Sequence, residues 1–107
     1  MLFRSDAFVI GIGDEGSEAS RRLVRELRAT EVATDAALGD RPLGAQMKMA
    51  DRAGARFALI VGEREAADGT VTVRRLEDGH QEVVPQTDVA VWLAAQTQAE
   101  AGQEGGA

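Results

Sequence analysis

The sequence predicts a three-layer α/β/α sandwich around a five-stranded mixed sheet, with strand order 2-1-3-4-5 and the fourth strand antiparallel to the rest. A length of 107 residues suits one domain. Two short apolar runs, at residues 7–10 and 57–61, are typical of strands covered on both faces. Helical periodicity between the strands implies right-handed crossovers, which place the first strand between the second and the third.

The first half of the chain alternates strands with helices. Charged residues bound an apolar run at residues 6–12, which predicts the first strand. Apolar residues recur every four positions over residues 15–30, as in an amphipathic helix. A short second strand is expected at residues 32–36. The second helix is predicted at residues 42–53, because Pro42 suits a first helical turn.

Patterning also predicts which side of each helix faces the core. On the second helix we expect Leu43, Met47 and Ala50 to form the inner stripe, with Gly54 as a left-handed C-terminal cap. The last helix, expected at residues 88–98, presents Val89, Trp92 and Leu93 inward.

The second half predicts a third strand at residues 57–61 and a single helical turn at residues 63–67. A fourth strand follows Gly69, with Val71 and Val73 on one face and Thr70, Thr72 and Arg74 on the other. A hairpin turn at residues 77–80 leads into a fifth strand at residues 81–84. The predicted domain covers residues 1–98, and residues 99–107 form a flexible tail.

Composition excludes several classes of function. The chain has no cysteine, which excludes disulfides and cysteine–zinc sites and favours a reducing, cytoplasmic location. No apolar run is long enough to cross a bilayer, so no membrane partner is expected. The formal net charge of −6 opposes non-specific attraction to nucleic acid, so any contact with RNA must be local.

A glycine-rich segment invites comparison with dinucleotide sites. Residues 11–16 read GIGDEG between a strand and a helix, and Asp35 ends the second strand where a ribose-binding acid would stand. However, Asp14 and Glu15 would lie at the helix N-terminus, where they repel a pyrophosphate. The purely structural interpretation is that the glycines form the turn and the two acidic residues stabilise the N-terminus of the helix.

Basic residues cluster on both predicted helices. The first helix carries Arg21, Arg22, Arg25 and Arg28, but Glu18 and Glu26 lie four residues from Arg22, which favours a solvated face. Residues 41–56 hold four cations against Asp51 alone, so this segment is the expected place to meet a polyanion. His80 lies in a turn, and no general-acid pair, metal cluster or nucleophile appears, so we expect no cofactor, no metal and no catalysis by this chain.

Residues 43–63, LGAQMKMADRAGARFALIVGE, strongly resemble the C-terminal anticodon-binding domain of histidyl-tRNA synthetase, a class II aminoacyl-tRNA synthetase. The similarity continues through residues 69–74 and the hairpin to residues 91–93. The resemblance implies the three-layer fold already predicted. It also implies two partners: the anticodon loop of a histidine-accepting tRNA and a separate catalytic domain of an ATP-dependent ligase.

By motif position, the resemblance implies six tRNA-binding residues, each with a role. Asp40 and Arg41 lie in the loop before the second helix, where related enzymes contact anticodon bases. The side-chain amide of Gln46 would recognise a base, and Lys48 would contact a phosphate or a base. Glu65 could accept a hydrogen bond from a base amino group, and Arg74 could bind guanine in a bidentate manner.

Two departures from the family and one alternative function stay open. Gly11 replaces a common proline, and Gly44-Ala45 replaces a more basic pair, which weakens the expected phosphate contacts. The chain could be part of a ligase that is homodimeric as a whole, with the isolated domain monomeric. It could instead be a stand-alone regulatory module that keeps the fold and no longer binds tRNA.

Overall fold

The computed structural model describes residues 5–37 and 41–96. The strands are β1 Ser5–Gly11, β2 Thr34–Ala36, β3 Ala55–Val61, β4 Thr70–Arg75 and β5 Gln81–Pro85. The helices are α1 Gly13–Ala29, α2 Leu43–Arg52, α3 Glu63–Asp68 and, after a 3-10 turn at Gln86–Asp88, α4 at residues 89–96. The predicted tail lies outside the described residues.

All five strands form one sheet in the order β2-β1-β3-β4-β5, which confirms the predicted topology. β1 runs parallel to β2 and β3, whereas β4 is antiparallel to both β3 and β5. β2 is three residues long and begins two residues later than predicted, because the chain first turns at Glu31, whose φ is 64°. Within residues 5–37 and 41–96, no helix is long and apolar enough to cross a membrane.

The sheet separates two apolar clusters, as a three-layer sandwich requires. On one face, α1 and α4 cover β1, β3 and β4, and Leu23 of α1 and Val89 of α4 share a cluster with Phe57 of β3. The Phe57 and Trp92 rings meet edge to face, with centroids 5.1 Å apart, which ties α4 to the sheet. The smaller cluster on the other face centres on Phe8 and Ala50, beneath α2.

One predicted core stripe is wrong in part. Leu43 is 45% exposed, whereas Gln46 is 3% exposed and Ala50 is fully buried. Residues 46, 50 and 53 follow one another at four- and three-residue spacing, so they share the inner face of α2, and Met47 lies at its margin. The predicted cap is confirmed, since Gly54 has a φ of 69° directly after the helix.

Two glycines allow α1 to lie unusually close to the sheet. A methyl group on Gly16 would overlap the carbonyl oxygen of Val61 and stand 3.1 Å from Cα of Gly62. A methyl group on Gly11 would overlap the Ser20 hydroxyl and stand 2.8 Å from Cα of Ser17. Packing between helix and strand therefore accounts for the glycine-rich segment without a bound dinucleotide.

Candidate nucleic-acid interface

The loop before α2 and the first turns of that helix form the first part of the site. Arg41 is exposed, and its carbonyl oxygen accepts a hydrogen bond of 2.7 Å from Nε2 of Gln46. The same nitrogen donates to the carbonyl oxygen of Gly11 at 3.0 Å. Gln46 thus ties the start of α2 to the end of β1. Asp40 lies outside the described residues.

Gln46 differs from the expectation that it reads a base. Its side chain is buried, and both bonds of its amide nitrogen go to backbone carbonyls. The spacing of Gln46 to Ala50 and Ala53 places it on the inner stripe, a signal that could have located it from the sequence. Lys48 lies about 200° around the helix from Gln46, given 3.6 residues per turn, and it is exposed to solvent.

The positive surplus of the second helix is smaller at the surface than the sequence indicates. Arg56 is the second residue of β3 and is only 5% exposed. Its Nη2 donates to the carbonyl oxygen of Gln96 at 3.0 Å, and its guanidinium carbon lies 4.9 Å from the centroid of the Phe57 ring. Arg56 therefore anchors α4. The exposed cations of this segment are Arg41, Lys48 and Arg52.

Glu65 lies in the first turn of α3, beyond the carboxyl end of β3. Its Oε1 accepts a hydrogen bond of 3.0 Å from the backbone N–H of Gly62, the residue before the helix. This bond holds the half-buried carboxylate in one position. A carboxylate has about four lone-pair sites, so Glu65 retains the capacity to accept from a further donor.

Arg74 lies on the face of the sheet that α2 covers in part. It pairs with Ala58, and Ala58 belongs to the cluster beneath α2. Its Nη1 donates to Oε1 of Gln81 at 3.2 Å on the neighbouring strand. The guanidinium group has five N–H donors, so this single bond leaves others for a ligand.

The structure does not bring the described candidate residues to one face of the sheet, because α3, which carries Glu65, packs through Ala66 against the cluster beneath α1. Lys48 and Arg74 belong to the α2 side of the sheet. Glu65 follows β3 near the start of β4, and Arg74 lies four residues after Thr70, about 13 Å along the strand. Sequence patterning missed Val83, which is 65% exposed and pairs with Thr72 on this same open face.

The described residues thus form a five-stranded sheet in the order β2-β1-β3-β4-β5, with exposed cations before and on its second helix. The family model for the anticodon-binding domain matches residues 6–96. The chain belongs to the anticodon-binding domain family. The fold of the threonyl-tRNA synthetase RNA-binding domain from Cryptosporidium parvum is also similar, with a TM-score of 0.78 at 20% identity over 86% of this chain and 23% of that one.

Within the family, several relatives of this chain are histidine–tRNA ligases, which confirms the resemblance predicted from residues 43–63. Histidine–tRNA ligase of Rhodococcus erythropolis is 42% identical over 86 residues, which are 80% of this chain and 20% of the ligase. The ligase of Rhodococcus jostii is 38% identical over 86% of this chain and 22% of the ligase. The chain thus spans about a fifth of the length of these relatives.

Solved structures agree with this assignment. Apo histidyl-tRNA synthetase of S. aureus superimposes with a TM-score of 0.78 at 26% identity, covering 83% of this chain and 23% of that one. The enzyme of Nostoc sp. PCC 7120 gives 0.77 at 27% identity, covering 87% and 21%.

Proposed function

We propose that this chain is a tRNA-binding module that recognises the anticodon stem-loop of a histidine tRNA. The observation that carries the proposal is the family match across residues 6–96, joined to the histidine–tRNA ligases among its relatives. In this proposal, a separate catalytic domain of the same synthetase uses ATP to attach histidine at the far end of the tRNA. A cytoplasmic location, a monomeric module and a homodimeric parent stay predictions.

Two exposed cations on the α2 side contact phosphates. Arg41 precedes α2, and Lys48 points away from the sheet on the solvent side of that helix. Such contacts supply affinity and position the RNA without reading its sequence. They are local in a chain whose net charge is −6, so affinity depends on correct docking of the stem-loop.

Two further side chains read bases. Arg74, on the open face of the sheet, donates to two acceptors of an unstacked guanine, and Glu65 accepts from an exocyclic amino group. The hydrogen bonds to Gln81 and Gly62 hold these side chains in place before RNA binds, which lowers the entropy cost of recognition. Exposed Val83 offers apolar contact to a splayed base beside them.

Gln46 acts as a positioning residue in this proposal. Its amide nitrogen donates to the carbonyl oxygens of Arg41 and Gly11, so it holds the backbone of Arg41 against the end of β1. Asp40, next to Arg41 in the chain, stays a predicted base contact.

Filter retention of a histidine tRNA transcript and of anticodon-substituted transcripts tests the proposal. We expect the native anticodon to bind more tightly. Arg74→Ala weakens binding by about 1 to 3 kcal/mol and narrows the difference between anticodons. Lys48→Ala weakens all transcripts alike and reduces the salt slope by about 0.7 to 0.9. Equal, weak binding of every transcript to the unaltered chain contradicts anticodon reading and favours the regulatory alternative.

A further inference from the structure

A cleft of about 440 Å³ opens between α1 and the edge strand β2. Val9 and Ala36 lie at its floor, and Arg21, Arg25 and Arg28 of α1 line its wall. We call this space the α1 cleft. Its volume falls within the roughly 300 to 1,000 Å³ typical of small-molecule sites.

Three arginines of α1 line the cleft, whereas Glu18 and Arg22 line a different part of the helix surface. With 3.6 residues per turn, Arg21, Arg25 and Arg28 share the flank beside β2. Glu18, Arg22 and Glu26 share the other flank, where Glu18 and Arg22 line a separate surface depression. The two glutamates lie four residues from Arg22, and neither lines the cleft with the three arginines.

No acidic side chain among the described residues lines the α1 cleft. The nearest acid on β2 is Asp35, which pairs with Phe8, and Phe8 belongs to the cluster beneath α2. Asp35 thus faces the opposite side of the sheet. Three formal positive charges stand together in a chain whose net charge is −6.

One wall of the cleft is held in place by hydrogen bonds. Nε and Nη2 of Arg28 donate to the carbonyl oxygen of Thr34 at 3.2 and 2.9 Å, which fixes the guanidinium across the edge of β2. Buried Gln46 closes one end of the cleft. Ser17 also lines the cleft, and a serine hydroxyl can donate to an anion.

We propose that the α1 cleft binds a phosphate group borne by a nucleotide, with Arg21 and Arg25 as its principal donors. Guanidinium groups suit phosphate because their paired N–H donors match two phosphate oxygens. The α1 layer lies on the opposite side of the sheet from Lys48 and Arg74, so the cleft is separate from those two proposed contacts, although Gln46 borders both the cleft and Arg41. The phosphate comes either from a free nucleotide or from the backbone of the bound RNA.

The first experiment titrates the chain with inorganic phosphate and with adenosine monophosphate at constant ionic strength, and follows backbone and arginine Nε–H signals by NMR. We expect saturable shifts at residues 17–28 and 36–37. The Arg21→Gln/Arg25→Gln double variant weakens binding at least tenfold, whereas Arg22→Gln, on the other flank of α1, leaves it unchanged. Thermal unfolding verifies that each variant is folded. The substituted side chains are exposed, so they contribute little to the stability of the fold.

The second experiment identifies the source of the phosphate, using the salt dependence of histidine tRNA binding. If the RNA backbone supplies it, the double variant reduces the salt slope by about 0.7 to 0.9 for each lost contact. If a free nucleotide supplies it, adenosine monophosphate saturates the cleft and the salt slope is unchanged.

The proposal is overturned if two results coincide: no saturable shift up to about 10 mM nucleotide, ten times a dissociation constant of ~1 mM, and no change of salt slope. An equal loss of binding in Arg22→Gln also overturns it, because that result indicates general charge attraction. The nucleotide titration needs no tRNA. If anticodon binding fails altogether, the titration decides alone: saturable shifts support the site, and their absence up to about 10 mM nucleotide overturns it.

Discussion

Replacing Gly16 by alanine tests whether the glycine-rich segment serves packing. The added methyl group would overlap the carbonyl oxygen of Val61 and stand 3.1 Å from Cα of Gly62. Both obstacles are backbone, so no side-chain rotation relieves them. Overpacking of this kind costs about 1 to 3 kcal/mol, and a rigid obstacle favours the upper end. Alanine recovers about 1 kcal/mol through helix propensity, which leaves a net loss of about 2 kcal/mol.

Gly44→Ala is the matched control, because Gly44 is also helical and nothing lies within 4 Å of the position its methyl group would take. We expect this variant to gain about 0.5 kcal/mol. Urea unfolding followed by circular dichroism measures both free energies of unfolding, and the melting temperature of Gly16→Ala should fall by roughly 8 to 16 °C. Equal stability of the two variants would refute the packing argument.

Two further predictions concern hydrogen bonds. Gln46→Leu keeps the side-chain volume but removes the donor to the Gly11 and Arg41 carbonyls, so we expect a loss of about 2 kcal/mol in urea unfolding; unchanged stability would show that water replaces the amide without cost. Hydrogen bonds from the Arg75 guanidinium and the His80 backbone N–H lower the pKa of Asp78 from 3.8 to about 2. Its contribution to stability is therefore present above pH 3.8 and lost as the pH falls through about 2. The gap in melting temperature between wild type and Asp78→Asn should close over that interval, and a gap that is constant with pH contradicts the assignment.

The strand order was predictable because each element carries a strong pattern of its own. The continuous apolar runs of β1 and β3 can only be covered on both faces, and right-handed crossovers then allow a single arrangement. The inner face of α2 was harder to predict, because the hydrophobic Leu43 is exposed and the polar Gln46 is buried. Gln46 is buried because two backbone carbonyls satisfy its amide, and composition alone does not signal that.

Charge was the least predictable property of the surface. Counting charges along residues 41–56 includes Arg56, which the structure buries against Phe57. For α1, the two glutamates four residues from Arg22 favoured a solvated basic face, whereas the structure lines a cleft with Arg21, Arg25 and Arg28 and without either glutamate. Sequence gives the number of charges in a segment, whereas the side on which each charge lies depends on the packing of the helix.

Amide-shift mapping with an isolated anticodon stem-loop of histidine tRNA tests the central claim most directly. The account predicts saturable shifts at the exposed positions of residues 41–52, at Glu65 and along the open face around Arg74. A stem-loop with a substituted anticodon should shift the α2 signals and lose those of Glu65 and Arg74. Unmoved signals at these positions, or identical shifts with both stem-loops, would contradict the claim that these residues read an anticodon.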